Sequence, residues 1–317
     1  MTIMNREIAF IGKMASKDQE AWLAAIGPLL VDATIIPYKE ISAEQRMNIE
    51  VAIVANPDPK ELTTFPALRW VQSLWAGVER LVLELPKVDF DIVRLIDPNL
   101  ASTMAEAVLA WTYYLHRDMP KYLFQQKHKI WQQGDLVELK DRNIGVLGLG
   151  ELGRAATEKL LLNGFNVGAW SRRLSNIAGV KCFAGMDQLA DILAQTDILI
   201  CLLPLTTETH GLLNDKRLSL LPTGASIINF SRGQIIDQDA LIRHLESAHL
   251  DHAVLDVFET EPLPITSALW ESPKITVLPH ISAPTNIRTA SQIVARNLMT
   301  YFETGEIPEA IGRARGY

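Results

Sequence analysis

Cysteine is nearly absent: Cys182 and Cys201 are the two in 317 residues. They form neither a disulfide framework nor a thiolate metal motif, which suits a reducing compartment, and a cytoplasmic location is expected. No bound metal is expected. Long apolar runs are missing as well. None approaches the roughly 20 residues needed to span a bilayer, so no contact with a membrane core is expected. No basic flank followed by an apolar stretch marks an export leader. Positive charge is not in excess: 30 Lys and Arg against 37 Asp and Glu leave a net charge of −7. That balance argues against nonspecific binding to nucleic acid or to an anionic membrane surface, while leaving room for a local basic patch. Internal repeats and low-complexity tracts are not found either.

What is present is the composition of a globular chain, 48% hydrophobic and 21% charged, long enough for two domains. Apolar bursts alternate with helical patterns. Strands are predicted at 7–12, 50–55 and 69–74, with a helix over 17–30. A long helix is predicted over 102–117, with Ser102 or Thr103 as cap and Glu106 at the capping-box position for Thr103. A domain crossing is placed there. A second series has strands at 144–149, 166–170, 198–203, 225–230, 253–256 and 275–278, and helices at 151–163, 186–195 and 238–247. A last helix over 286–304 returns to the first domain. The fold class is α/β, with two doubly wound, Rossmann-like parallel sheets. Residues 1–100 with 286–317 make one discontinuous domain, and 101–285 the other.

The first strand of the second series runs into Gly148-Leu149-Gly150-Glu151-Leu152-Gly153 and then a helix. GxGxxG alone is a weak signal, but strand–turn–helix is the context that a dinucleotide site requires. Gly148 permits the tight turn, Gly150 a close approach of pyrophosphate, and Gly153 close packing of helix on strand. The N-terminal amides at Glu151 and Leu152 offer positive potential to phosphate. A carboxylate for the ribose hydroxyls is expected about 20 residues on. Ser171-Arg172-Arg173 stands there instead. Two guanidiniums and a hydroxyl suit a 2′-phosphate, so NADP(H) is favoured over NAD(H). After a later strand, Leu203 and Pro204 suit the wall of an adenine pocket, or equally the core.

Three side chains at or just past predicted strand ends carry the chemistry: Arg232 before Gly233, Glu261 before Pro262, and His280 after Pro279. Ligands of open α/β sheets bind at those ends. Singly, each has an ordinary explanation: Arg232 as a salt-bridge partner, Glu261 as a surface acid, His280 as a hydrogen-bonded structural residue. Together, beside a dinucleotide turn, they suit reduction of a 2-keto acid. Arg232 would hold the substrate carboxylate and the developing oxyanion. His280 would donate the proton, and Glu261 would orient its ring. His116, His128, His210, His244, His249 and His252 read as lying in polar helices or loops and have weaker claims.

These motifs resemble the D-isomer-specific 2-hydroxyacid dehydrogenases over nearly the whole chain. The resemblance rests on the stretches Val146 to Gly153, Trp170-Ser171-Arg172, Leu203 to Thr206, Asn229 to Gly233, Leu255 to Pro264, and Pro279-His280-Ile281. Within the family, these stretches and the ending Arg313 to Tyr317 look most like the bacterial glyoxylate/hydroxypyruvate reductase A group. The resemblance implies catalytic roles for Arg232, Glu261 and His280, a nicotinamide contact for Asp256, and a place near the cofactor for Thr209. It also implies an interdomain cleft, 1–100 with 286–317 as the substrate-binding domain, and a homodimer built through the cofactor domains. The family's carboxylate-binding loop matches Leu74 to Val78, so Ala76 and Gly77 are expected to bind substrate through their amides. Trp75 departs from the small residue usual there, and either caps the pocket or packs after its strand.

The resulting expectation is an NADPH-preferring reductase of small 2-keto acids, glyoxylate and hydroxypyruvate by resemblance, giving D-2-hydroxy acids. The alternatives are an NADH-linked dehydrogenase of other specificity and a nucleotide-sensing binding protein on the same scaffold.

Overall fold

The structure, a computed structural model, describes residues 6–85 and 88–312. The ending Arg313 to Tyr317 lies outside the described residues. The chain divides into two compact units, Met1–Asn99 with Thr285–Tyr317, and Leu100–Pro284.

The first unit contains a parallel sheet of β1 (Arg6–Gly12), β2 (Ala33–Pro37), β3 (Val51–Ala55), β4 (Trp70–Ser73) and β5 (Asp91–Val93), in the order β2-β1-β3-β4-β5. Successive residues go to opposite faces. Ile8, Phe10 and Ile53 join one buried cluster, while Ala9, Ile11 and Val54 join the other. That two-sided burial is why β3 is apolar at every position. The helix Ile287–Thr304 packs against Ser16–Ile26 on one face of this sheet. Polar bonds also fix it there: Asn297 Nδ2 donates to Gln72 Oε1 at 2.8 Å, and Tyr301 Oη to Glu50 Oε2 at 3.0 Å. Thr289 Oγ1 donates to Asp97 Oδ2 at 2.6 Å.

The second unit contains β6 (Asn143–Leu147), β7 (Asn166–Ser171), β8 (Lys181–Ala184), β9 (Ile198–Cys201), β10 (Ala225–Asn229), β11 (Leu250–Leu255) and β12 (Ile275–Val277). Their order is β12-β11-β10-β9-β6-β7-β8, all parallel. Strand order therefore reverses between β6 and β9, the switch point at which a doubly wound sheet opens a crevice. The α/β class and both parallel sheets are as expected.

Three strands went unread in the sequence, namely β2, β5 and β8, and each is the edge of its sheet. The expected cap of the long helix also differs. The helix spans Pro98–His116, so Thr103 and Glu106 lie within it. Its first residue is Pro98, whose missing N–H costs nothing there, and Asp97 Oδ1 accepts Asn99 N–H at 2.8 Å. The expected helix over 186–195 is a 3-10 turn, Met186–Gln188, followed by Leu189–Leu193. Among the described residues, no helix is long and apolar enough to cross a membrane.

Candidate active site

The glycine turn follows β6, at the switch point. Gly148 has φ +104°, and a Cβ there would meet the Leu202 carbonyl oxygen at 2.6 Å, so only glycine fits. A Cβ on Gly153 would collide with the Gly148 carbonyl oxygen. That is the close helix–strand approach expected of the third glycine. Gly150 differs from both, since nothing lies within 4 Å of where its Cβ would be. The space beside it is open, as a pyrophosphate requires. The helix Glu151–Leu162 starts at once, with no side-chain cap on its first amides. Its leading N–H groups have no intrahelical acceptor and suit a phosphate. These residues fit a nicotinamide dinucleotide.

At the end of β7, Ser171 Oγ donates to the Arg173 carbonyl at 2.6 Å, which folds the Ser171–Arg173 corner. Arg172 and Arg173 are exposed. An acid does reach this corner, which the local sequence did not reveal: Glu208 Oε2 lies 3.5 Å from Arg172 Nη1. The Glu208 side chain is 66% exposed and that of Arg172 38%, so the pair is weak and screened by salt.

β10 and β11 lie side by side. Asp256, directly after β11, is 2% exposed. Its two oxygens accept the backbone N–H groups of Ile281 and Ser282 at 2.7 and 2.9 Å. These bonds clamp the turn at His280, whose φ of +52° is unusual for a residue with a Cβ. His280 Nδ1 meets Glu261 Oε2 at 2.7 Å. A carboxylate only accepts, so Nδ1 carries the hydrogen and Nε2 is left as the proton-exchanging atom. Glu261 is itself held, because its Oε1 accepts Phe258 N–H at 2.9 Å. The histidine side chain is 54% exposed.

Arg232 is half-buried, and its Nη1 donates to the Ser231 carbonyl at 2.6 Å. The next residue, Gly233, presses on the backbone of Phe258 and Glu259, where a Cβ would collide outright. Gln234 Nε2 donates to the Glu259 carbonyl at 3.2 Å. The Arg232 turn is thus seated against the loop that carries Glu261, and Glu261 is bonded to His280. A guanidinium, a carboxylate and an imidazole are tied together through backbone contacts at one end of one sheet.

Residues 109–282 match the family model described as D-isomer specific 2-hydroxyacid dehydrogenase, NAD binding domain. The chain belongs to this family. It is 34% identical to a glyoxylate/hydroxypyruvate reductase A of Serratia proteamaculans (strain 568) over 299 residues, which are 92% of this chain and 94% of that protein. A D-isomer specific 2-hydroxyacid dehydrogenase of Xanthobacter autotrophicus Py2, solved with NADPH and MES, is 35% identical. It superposes with a TM-score of 0.91 over 99% of this chain and 100% of that one. An NADPH-dependent glyoxylate/hydroxypyruvate reductase of Sinorhizobium meliloti, solved with NADP and sulfate, is 29% identical. Its TM-score is 0.89 over 98% of this chain and 100% of that one.

In this 2-hydroxyacid dehydrogenase the other expected site residues have definite places. Leu203 is a core residue packed beside the Gly148 turn, and the Pro204 carbonyl accepts the Thr209 hydroxyl at 2.6 Å. Thr209 Oγ1 also accepts Thr206 N–H at 2.8 Å, so this hydroxyl shapes the loop after β9. In the first unit, Ala76 and Gly77 follow β4, half-buried. Trp75 turns its ring edge-on to Trp22, with centroids 5.9 Å apart, and packs on that unit's core. His252 does not sit in a polar helix or loop. It lies in β11 with Nε2 2.9 Å from Thr276 Oγ1, and burial, with Lys274 nearby, pushes its pKa down to about 4. His116 is buried in its helix. Sequence reasoning passed over Asn229 and the hold of Asp256 on the His280 turn. The signal was present, since a buried polar residue closing an apolar strand needs partners close by.

Proposed function

We propose that the enzyme is an NADPH-preferring reductase of small 2-keto acids, with glyoxylate and hydroxypyruvate as substrates and D-2-hydroxy acids as products. The observation that carries this reading is the 2.7 Å bond between Glu261 and His280, beside the turn of Arg232. Support for the substrates comes from the Serratia and Sinorhizobium relatives, both glyoxylate/hydroxypyruvate reductases. Support for NADPH comes from the Arg172–Arg173 corner and from neighbours bound to NADPH or NADP.

When bound, the nicotinamide supplies the hydride for the carbonyl carbon. Arg232 grips the substrate carboxylate and faces the oxygen on which negative charge grows. His280 releases the proton on Nε2 to that oxygen, while Glu261 keeps Nδ1–H occupied, holds the ring in place and balances the imidazolium. In the reverse direction neutral His280 takes the hydroxyl proton. Asp256 contributes by holding the His280 turn and keeps lone pairs for a carboxamide contact.

The test is steady-state turnover of a keto-acid panel with each nucleotide, on the wild type and on the double variant Arg172→Ala with Arg173→Ala. Charge-assisted bonds to a phosphate contribute about 1.5–3 kcal/mol each, so the variant is expected to raise the KM for NADPH roughly tenfold or more. The KM for NADH should move little. Equal effects on both nucleotides would overturn the 2′-phosphate assignment. Tight nucleotide binding without turnover of any acid would favour a sensor instead.

A homodimer is part of the proposal. Its support is the run of exposed apolar side chains Leu123, Phe124, Ile130, Trp131 and Leu136, with Trp131 97% exposed. A monomeric mass in solution would refute it. A cytoplasmic location is proposed with it, on the two free cysteines.

A further inference from the structure

Asn229 closes β10, the strand that leads into Arg232, and is 1% exposed. No part of the chemistry above uses it, yet both polar atoms of its side chain are engaged. Asn229 Oδ1 accepts the backbone N–H of Ser231 at 3.2 Å and the hydroxyl of Ser231 at 2.6 Å. Its Nδ2 donates to the Arg232 carbonyl at 3.1 Å. Turning the amide over would aim N–H at N–H and oxygen at oxygen, so the orientation follows from the partners. The main-chain carbonyl of Asn229 also accepts Asp256 N–H at 3.1 Å, which registers this turn against the neighbouring strand.

The consequence reaches the guanidinium. Ser231, whose N–H and hydroxyl are both held by Asn229, presents its own carbonyl to Arg232 Nη1 at 2.6 Å. The amide thus holds the peptide groups on either side of the one whose oxygen meets the arginine head. On the far side, Gly233 has no room to yield against Phe258 and Glu259. The turn is fixed at both ends, and Arg232 extends from between them. Polar groups this deeply buried lose their water on folding, so removing the amide strips Ser231 N–H of its acceptor and leaves the Arg232 carbonyl one donor fewer, with the 3.3 Å bond from Ile235 N–H remaining. The turn then rebuilds, and Arg232 goes with it.

We propose that Asn229 is a positioning residue for Arg232: it places the guanidinium that receives the substrate carboxylate and touches neither substrate nor cofactor itself. This inference rests on the reading of Arg232 as the carboxylate-binding group. It predicts a particular pattern of defects. A displaced guanidinium weakens capture of the keto acid, whereas the nucleotide corner at Gly148–Gly153 is built from other segments and is unaffected.

The test compares wild type, Asn229→Ala, Asn229→Asp and Ser231→Ala. Glyoxylate and hydroxypyruvate KM and kcat are measured, with NADPH affinity by fluorescence and the thermal midpoint. A misplacement of about 1 Å costs on the order of a hundredfold in a site of this kind. Asn229→Ala is therefore expected to raise the keto-acid KM by roughly ten- to a hundredfold, with the NADPH dissociation constant within about twofold of wild type. Asn229→Asp keeps the acceptor for Ser231 and loses the donor to Arg232, so it falls between. Ser231→Ala, which deletes one bond and no buried amide, gives the smallest rise. It keeps the comparison open should Asn229→Ala fold poorly. A lowered thermal midpoint with unchanged keto-acid KM in the folded variants would overturn the proposal, leaving Asn229 a stabilising residue only. Failure of the wild type to turn over any keto acid would instead refute the proposed substrate. In that event a crystal structure of Asn229→Asp or Ser231→Ala decides: a guanidinium moved by about 1 Å sustains the positioning role, and an unmoved one ends it.

Discussion

Replacing His280 with alanine is expected to lower kcat by roughly a hundredfold to ten-thousandfold, the range that a lost general acid removes. NADPH binding should be unchanged, because the glycine turn and the arginine corner lie on other strands. The acceptor chemistry of Glu261 decides which ring nitrogen acts. Its carboxylate holds Nδ1–H, so Nε2 is the atom that can give up a proton. Glu261→Gln keeps the shape and removes the charge, so it should lower kcat less than His280→Ala does. Single-turnover NADPH oxidation with glyoxylate, beside a fluorescence titration of nucleotide, separates chemistry from binding. Wild-type turnover in His280→Ala would take the imidazole out of the mechanism.

Arg232→Ala is expected to reduce kcat/KM for keto acids by roughly a hundredfold to a thousandfold, the usual loss when a donor to a developing oxyanion is removed. Much of the loss should fall on KM if the guanidinium also grips the ground-state carboxylate. Arg232→Lys restores the charge without the planar fork, so it should recover only part of the activity. Initial rates over a wide range of glyoxylate concentration distinguish these effects. A wild-type KM in Arg232→Ala would show that the carboxylate is held elsewhere. Asn229→Ala should resemble a milder Arg232 variant, with reduced capture and intact nucleotide affinity.

Much of the architecture was legible because interior parallel strands are buried on both faces. Val51–Ala55 and Ile198–Cys201 are apolar at every position, and no solvated face dilutes the pattern. The edge strands β2, β5 and β8 were missed for the opposite reason. Asp91–Val93 has three residues and an exposed acid, and Lys181–Ala184 begins on an exposed lysine. Their partners in the sheet make them strands, and local sequence does not encode those partners. The cap of Pro98–His116 went astray because Thr103 and Glu106 have capping-box spacing, while Asp97, six residues before Thr103, carries the real start with Pro98 behind it. At the site, Gly148 and Gly153 could be read because their backbone positions leave no other choice. The Arg172–Glu208 pair could not, since 36 positions separate its members along the chain.

The bonds from Asn297 to Gln72 and from Tyr301 to Glu50 span 225 and 251 positions of chain. On a ribosome, the strands of the first sheet emerge long before the helix that covers one of their faces. The whole of Leu100–Pro284 is translated in between. At 5–20 residues per second that interval lasts roughly 10–40 s. Throughout it the nascent first unit keeps apolar surface uncovered, and by its end the dinucleotide unit has every strand of its own sheet. The first unit is thus begun before the dinucleotide unit and completed after it, and a chaperone bound during synthesis would find its exposed apolar target there.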